Sequence, residues 1–192
     1  MNNKVVAPIF FLISVFQFEA HGQKIEQIDS LKSVLAKSGL ADTTAIHILL
    51  EISMKYQGFQ TDSAMTYALA SLDKSTADNY VKGRADALLH IGRLKRDQDN
   101  VADALKQMFV ALKLYREIGD QSQIANALND ISIIYANSED FKKSLGYFKQ
   151  ALEIFQQTGD TKGESYALNN IGIIYQALND KPMAKDYFIQ SL

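Results

Sequence analysis

The chain of 192 residues is 47% hydrophobic and 22% charged, which is ordinary for a folded domain and argues against a chain that is disordered throughout. Its formal net charge of −2 comes with no long run of one sign, so the charge pattern argues against a nucleic-acid partner. Two prolines and ten scattered glycines leave few helix breakers, and the composition therefore favours an all-α fold.

Residues 1–22 differ in composition from the rest of the chain. A positive charge precedes an apolar run over residues 5–18, and the small residues Ala20 and Gly22 follow it. This is the layout of a secretory signal peptide, with cleavage expected between Gly22 and Gln23. The run is shorter than the roughly 20 residues that span a bilayer, so an uncleaved anchor is the weaker alternative. The sequence thus predicts export, to the periplasm or the extracytoplasmic face of a membrane.

A repeat with a period of about 40 residues dominates the chain that follows, and such self-similarity is the signature of a repeat architecture. Gly119-Asp120 recurs as Gly159-Asp160, and more than a third of the positions are identical between 121–152 and 161–192. We therefore divide the chain into a leading helix over 23–40, a diverged copy over 41–80, and copies over 81–120, 121–160 and 161–192, the last incomplete.

Each copy is predicted to hold two helices. In the last copy Leu168 and Ile171 fall on the apolar face of the first helix, and Phe188 falls on the apolar face of the second. Tyr175 and its counterpart Tyr135 are assigned to the core. Each helix pair is apolar on both sides and cannot bury these residues alone, so neighbouring copies must stack.

Turn-forming residues mark the ends of these helices. Residues 137–140 and 179–182 are polar and separate the two helices within a copy. Between copies, Gly119 and Gly159 are suited to the left-handed conformation that ends a helix. Asp120 is followed three residues later by a glutamine, as in a capping box.

The last copy places large, small and aromatic residues in a fixed order: Leu168, Ile171, Gly172, Tyr175, Ala184 and Phe188. This order resembles the tetratricopeptide repeat (TPR), in which small residues let two helices approach and an aromatic residue fills the space between them. The resemblance covers residues 42–192, with departures at Lys95, where the pattern has tyrosine, and at Ala68, where it has a large residue. The long period resembles the extended repeats of bacterial peptide-sensing regulators and of exported TPR regions of membrane sensor kinases.

The resemblance implies a right-handed superhelical solenoid of antiparallel helix pairs that binds a protein or peptide partner and needs no cofactor. In this family the first helix of each pair lines a concave face, where ligands usually bind. Carried over to this sequence, the groove-facing residues are Asp86, Leu89, His90, Arg93, Arg96, Asn126, Asn129, Asp130, Ile133, Tyr166, Asn169, Asn170 and Ile173.

Two chemistries are mixed among these groove-facing residues. The amides of Asn129, Asn169 and Asn170 can grip the backbone of an extended peptide, or can instead join neighbouring helices. Arg93 and Arg96 can hold a carboxylate, or can form a solvated charged face with nearby aspartates. The candidate ligand-binding residues are Arg93, Arg96, Asn126, Asn129, Asp130, Tyr166, Asn169 and Asn170.

No catalytic constellation is recognisable in the sequence. Cysteine is absent, no serine lies near a recognisable base, and no glycine-rich phosphate loop occurs. The closest approach to a metal site is His47, Glu51, Asp86 and His90, with each histidine four residues from a carboxylate on adjacent first helices. The alternative for these four residues is a solvated groove with local charge pairs. We therefore predict a binding protein, with a metal-dependent enzyme as a rival hypothesis.

The last predicted helix ends at Leu192 without a polar cap over Phe188 and Ile189, although repeat stacks normally end in a solubilising helix. We expect either a fragment of a longer protein or an end that pairs with a partner or a second copy. A longer protein of the sensor type implies a membrane tether and an output domain such as a histidine kinase. The leading hypothesis is thus the sensory N-terminal region of a signal-transduction protein, and the alternative is a structural adaptor of an envelope or secretion complex.

Overall fold

The computed structural model describes residues 22–37 and 39–192, so the expected signal peptide lies outside the described residues up to position 21. This described part contains nine α-helices and no strand, and none of its helices is long and apolar enough to cross a bilayer. The helices are α1 (22–35), α2 (Asp42–Tyr56), α3 (Thr61–Ala77), α4 (Val81–Asp97), α5 (Val101–Ile118), α6 (Gln121–Asn137), α7 (Phe141–Thr158), α8 (Thr161–Ala177) and α9 (Lys181–Gln190).

Consecutive helices pack as pairs: α2 with α3, α4 with α5, α6 with α7, and α8 with α9. The first helices of neighbouring pairs also touch, α2 against α4, α4 against α6, and α6 against α8. Helices α4, α6 and α8 begin at Val81, Gln121 and Thr161, which keeps the regular spacing of the sequence repeat. The expected all-α solenoid of stacked helix pairs is confirmed.

The helix ends between pairs have the predicted conformations. Gly119 and Gly159 follow α5 and α7 with φ of 73° and 69°, in the left-handed region. Asp120 caps α6, because its carboxylate accepts a hydrogen bond from the backbone N–H of Gln123 at 3.1 Å. Only this half of the predicted capping box is needed, since the N–H of Asp120 donates to the carbonyl oxygen of Tyr115.

Small residues bring the two helices of a pair together, as the repeat pattern requires. A Cβ at Gly92 would lie 2.6 Å from Cγ of Met108, and a Cβ at Gly172 would lie 2.7 Å from Cε1 of Phe188. Both separations are too short for carbon atoms, so the larger side chain packs directly on a glycine backbone. Phe148 fills the corresponding space between α6 and α7 and is 1% exposed.

Two predicted core residues lie at the edge of the core instead. Tyr135 and Tyr175 are half-buried, and each stacks on a tyrosine of the following helix, Tyr147 and Tyr187 respectively. Their phenol rings therefore keep partial contact with solvent.

Candidate ligand-binding site

The residues predicted to face a groove lie on α4, α6 and α8, whose contacts bring them side by side. The structure separates most of them into three groups along the stack. The first group is buried near α2, the second is an arginine–aspartate cluster between α4 and α6, and the third lines a pocket between α6 and α8.

Leu89 and His90 are buried, at 2% and 1% exposure, and this corrects the prediction that they face the groove. Oγ of Ser53 donates to the carbonyl oxygen of Ala64 at 2.6 Å. Nε2 of His90 lies 2.8 Å from the same Oγ. Because that hydroxyl has already donated its one proton to Ala64, Nε2 of His90 is the donor in this second hydrogen bond. Burial, with the nearby charge of Arg93, lowers the pKa of His90 to about 4. His90 is thus a neutral link between α4 and α2.

The four residues considered for a metal site do not come together. His90 is buried in the contact to α2, whereas His47 and Glu51 are exposed on α2. Asp86 accepts a hydrogen bond from Oη of Tyr115 at 2.7 Å. Within the described ranges, no group of three or more histidine, aspartate or glutamate residues is placed to hold a metal ion.

Asp130 is the centre of the arginine–aspartate cluster. Its Oδ2 accepts a hydrogen bond from Nε of Arg93 at 2.7 Å. Its Oδ1 lies 3.7 Å from Nη1 of Arg96. The guanidinium of Arg96 also pairs with Asp97, at 2.9 Å. Burial raises the pKa of Asp130, which is 7% exposed, while Arg93 acts in the opposite direction. The carboxylates that the arginines hold are therefore the chain's own, as in the alternative that pairs them with aspartates and not with a ligand.

A pocket of about 280 Å³ opens between α6 and α8. It is lined by Asn126, Asn129, Ile133, Phe155, Gly163, Tyr166 and Asn170. All of these except Phe155 and Gly163 were predicted to face the groove, so the structure brings most of the predicted asparagines into one place. Asn169 and Ile173 are exposed and do not line the pocket.

The ring of Phe155 lies directly against Gly163. A Cβ on residue 163 would overlap that ring, so only glycine leaves this part of the pocket open. The corresponding residues one copy earlier are Tyr115 and Gln123, both of which carry a polar group that the later copy lacks. Comparing the copies position by position identifies these two residues, because Phe155 lacks the hydroxyl of Tyr115 and Gly163 lacks the side chain of Gln123.

Asn129 lines the pocket and has an unsatisfied polar atom. Its Oδ1 is buried and has no hydrogen-bond donor among the described residues. An unpaired buried acceptor costs roughly 1–3 kcal/mol, and such atoms are uncommon in folded proteins. Asn126 and Asn170 place two more amides on the same pocket. Together these amides offer donors and acceptors to a peptide-like group.

The sequence profile described as Tetratricopeptide repeat matches residues 83–157 and 123–192, which together make up more than half of the chain. The chain belongs to the tetratricopeptide-repeat family. The pocket between α6 and α8 lies wholly within the matched residues of this TPR protein. Stacked TPR helices form the extended concave surfaces that repeat proteins use for binding, so the chain is a scaffold for a protein or peptide partner.

Solved structures with the same fold come from several kinds of protein. BtubC (BKLC) from P. vanneervenii superposes with a TM-score of 0.76 at 16% identity, over 90% of this chain and 73% of that one. A Rap protein complexed with Competence and Sporulation Factor gives 0.76 at 23% identity, over 92% of this chain and 51% of that one. A Signal Transduction ATPase with Numerous Domains (STAND) protein from Pyrococcus horikoshii superposes with a TM-score of 0.76 at 18% identity, over 93% of this chain and 28% of that one.

These identities establish a shared fold and nothing finer. The TPR chain spans about half the length of the Rap protein and little more than a quarter of the STAND protein. Among curated proteins, none matches its sequence.

Proposed function

We propose that this TPR protein binds an extended peptide segment of a partner along its concave face, with one side chain of the segment in the α6–α8 pocket. The observation that carries the proposal is the buried, unpaired Oδ1 of Asn129 at a pocket that holds two further amides. A peptide backbone presents N–H groups at regular intervals, so it supplies the donor that Oδ1 lacks when the Asn129 side chain turns towards the pocket.

The remaining walls of the pocket indicate which side chain it accepts. Ile133, Phe155 and Tyr166 are apolar or aromatic, and a volume of about 280 Å³ suits one side chain better than a whole small molecule. The nearby guanidinium groups of Arg93 and Arg96 pair with the chain's own carboxylates and offer no free positive charge to the groove. The favoured anchor is therefore an uncharged apolar or aromatic side chain.

The finer proposal is that this chain is the sensory N-terminal region of an exported signal-transduction protein. The signal-peptide pattern over residues 1–22 supports export to the periplasm or the extracytoplasmic face of a membrane. Two proteins of similar fold support a sensory role: the Rap protein is complexed with a factor, and the STAND protein carries a tetratricopeptide repeat sensor.

The alternative is a free-standing structural adaptor of an envelope or secretion complex. The extended surface that stacked repeats present favours it, because such a surface suits a large protein partner. An antibody against residues 121–160 distinguishes the two in fractionated cells. A membrane band far above 21.4 kDa supports the receptor, and an exported soluble band near the size of the chain supports the adaptor.

The peptide-binding proposal is tested with a library of random peptides displayed on phage. Peptides are selected on the wild-type chain, and their Kd values are then measured for Asn129→Ala and for Asn137→Ala, an exposed asparagine at the end of the same helix. We expect Asn129→Ala to raise Kd about tenfold, since it removes one hydrogen bond of about 1.4 kcal/mol, and Asn137→Ala to leave Kd unchanged. Selection of no peptide, or of peptides that bind both variants equally, would contradict the proposal.

A further inference from the structure

Stacked tyrosine pairs recur where the first helix of a repeat ends beside the second. The ring centroids lie 5.8, 5.6 and 5.4 Å apart, with interplanar angles of 20°, 10° and 13°. In chain order the pairs are Tyr56 with Tyr67, Tyr135 with Tyr147, and Tyr175 with Tyr187.

The α6–α7 pair shows what such a tyrosine stack holds. Nζ of Lys143 lies 5.0 Å from the ring centroid of Tyr135 and 2.7 Å from Oδ2 of Asp140. The face of an aromatic ring is electron-rich and attracts a cation, and the carboxylate adds its charge. The ring and the carboxylate together thus form a site for the ammonium group of a lysine.

The first two repeats also place a lysine ammonium at this end. Nζ of Lys32, from α1, lies 5.3 Å from the ring centroid of Tyr56 and donates to its hydroxyl at 2.8 Å. In the α4–α5 pair, Lys95 stands at the position of Tyr135, and its ammonium pairs with Asp103 at 3.3 Å. A positive charge at this end is therefore a regular feature of the first three repeats.

The last repeat has the same ring and carboxylate but no lysine. Asp180 caps α9 by accepting from the N–H of Met183 at 3.2 Å, as Asp140 accepts from the N–H of Lys143 at 3.2 Å. The N–H of Asp180 donates to the carbonyl oxygen of Tyr175 at 2.9 Å, the same bond that joins Asp140 to Tyr135. Met183 thus replaces the lysine, and the described residues supply no ion pair to Asp180 and no cation over Tyr175 or Tyr187.

We propose that Tyr175, Tyr187 and Asp180 bind an alkylammonium group from another molecule, either a lysine side chain of a partner protein or a free primary amine. Both rings are half-buried, so one side of the stack remains open to a ligand. Met183 has an unbranched, flexible side chain, which can move aside when a cation approaches the ring. The site lies at the α8–α9 turn and is separate from the pocket between α6 and α8.

The binding test uses NMR of the whole chain with ¹³C-labelled tyrosine rings and N-acetyl-lysine amide as the probe. The neutral control is N-acetyl-norleucine amide, which has a similar shape without the charge. We expect the lysine probe to move the signals of Tyr175 and Tyr187 saturably, and less strongly as salt is added, because the attraction is electrostatic. Equal responses to the charged and neutral probes would overturn the proposal.

Matched variants locate the effect at the carboxylate and at residue 183. Asp180→Asn keeps a good helix cap but removes the charge, and we expect it to raise the Kd of the probe about threefold. Asp160→Asn, the corresponding change at the cap of α8, is expected to have no effect. A response that survives Asp180→Asn unchanged would count against the site.

The internal comparison provides a reciprocal test. Met183→Lys supplies the resident lysine and is expected to abolish the response of Tyr175 and Tyr187. Lys143→Met removes the resident lysine of the preceding repeat and is expected to make the signals of Tyr135 respond. Failure of either exchange in a folded variant, as judged by circular dichroism, would overturn the proposal.

The source of the ammonium group is resolved by comparing n-butylamine with the peptide N-acetyl-Gly-Lys-Gly amide. Tighter binding of the peptide assigns the site to a lysine side chain of a protein, whereas equal binding assigns it to free primary amines. Binding of neither compound at the two tyrosines would overturn the proposal.

Discussion

The α4–α6 and α6–α8 junctions occupy equivalent positions in the stack, one repeat apart, yet they treat their polar groups differently. In the α4–α6 junction, Asp86 accepts a hydrogen bond from Tyr115, and Arg93 pairs with Asp130. Leu89 is apolar and buried between them. Each of these polar side chains finds its partner inside the chain, so the junction is closed.

The α6–α8 junction carries different residues at the equivalent positions of the next repeat. Phe155 stands where Tyr115 has its hydroxyl, and Ile133 stands where Arg93 has its guanidinium. Asn129 replaces a buried leucine, and its Oδ1 has no partner in the described chain. The comparison teaches that a repeat protein can leave a polar atom of one junction unsatisfied, as the proposed peptide site requires, without adding any new element.

Breaking the closed junction is expected to have the largest effect. Asp130→Ala leaves the partly buried guanidinium of Arg93 without its carboxylate, and we expect the free energy of unfolding to fall by about 3–4 kcal/mol. The corresponding change in the open junction, Asn170→Ala, is expected to cost about 0.5 kcal/mol or less. Urea denaturation of both variants measures the difference. Similar losses in the two variants would show that the junctions do not differ in this way.

The α2–α4 junction extends the comparison through pH. An unfolded histidine has a pKa near 6.5, whereas the pKa of folded His90 is about 4. Between these values the unfolded chain binds a proton that the folded chain does not, so the free energy of unfolding falls as the pH drops. The full loss is about 3 kcal/mol and is complete near pH 4. We expect His90→Gln to flatten this part of the stability profile in urea denaturation and His47→Gln, at an exposed site, to leave it unchanged.

Exchanging the leucine and the asparagine of the two junctions sharpens the comparison further. Leu89→Asn buries an amide without a partner and is expected to lower the free energy of unfolding by about 2–3 kcal/mol. Asn129→Leu removes the unpaired acceptor and is expected to raise it by about 1 kcal/mol while weakening peptide binding. The Asn129→Leu variant would then be more stable but bind peptide more weakly. A loss of both stability and affinity would contradict the proposal that Oδ1 of Asn129 stays unpaired in order to bind a ligand.

The smallest expected effect comes from rebuilding the ion pair in the open junction. Ile133→Arg with Asn170→Asp recreates the pairing of Arg93 with Asp130. We expect a coupling free energy of about 1 kcal/mol in a double-mutant cycle, because the site is only half-buried. The double variant should also lose affinity for the selected peptides. A coupling energy near zero would mean that the two junctions hold their side chains in different geometries.

The fold was predictable because its signals are local and repeated. The self-similarity of the copies, the helical spacing of the apolar residues and the glycines at the helix ends each constrain the backbone without reference to distant contacts. Gly119, Gly92 and Gly172 play the roles that their positions indicate. The sequence also placed Asn126, Asn129 and Asn170 on one face, and the structure gathers them in one pocket.

The chemistry of the face was harder to predict, because it depends on which neighbour each side chain meets. The repeat pattern places His90 in the groove, but its ring reaches back to Ser53 in the preceding repeat, far away in sequence. The sequence pairs Arg96 with the aspartates next to it, yet it also lies near Asp130 on the next first helix. Periodicity identifies the face on which a residue lies, but not the partner that satisfies it.

Helices α8 and α9 contact the rest of the described stack through α6 and α7 alone. In such a nearly one-dimensional protein, stability is approximately a sum of repeat and nearest-neighbour terms, so one junction can open while the others remain closed. A molecule held between α6 and α8 would strengthen this single coupling term. Its signature would be slower amide hydrogen exchange across α8 and α9, with exchange in α2 to α5 unchanged. Ligand binding would then increase the cooperativity between the last repeat and its neighbour without changing the shape of the stack.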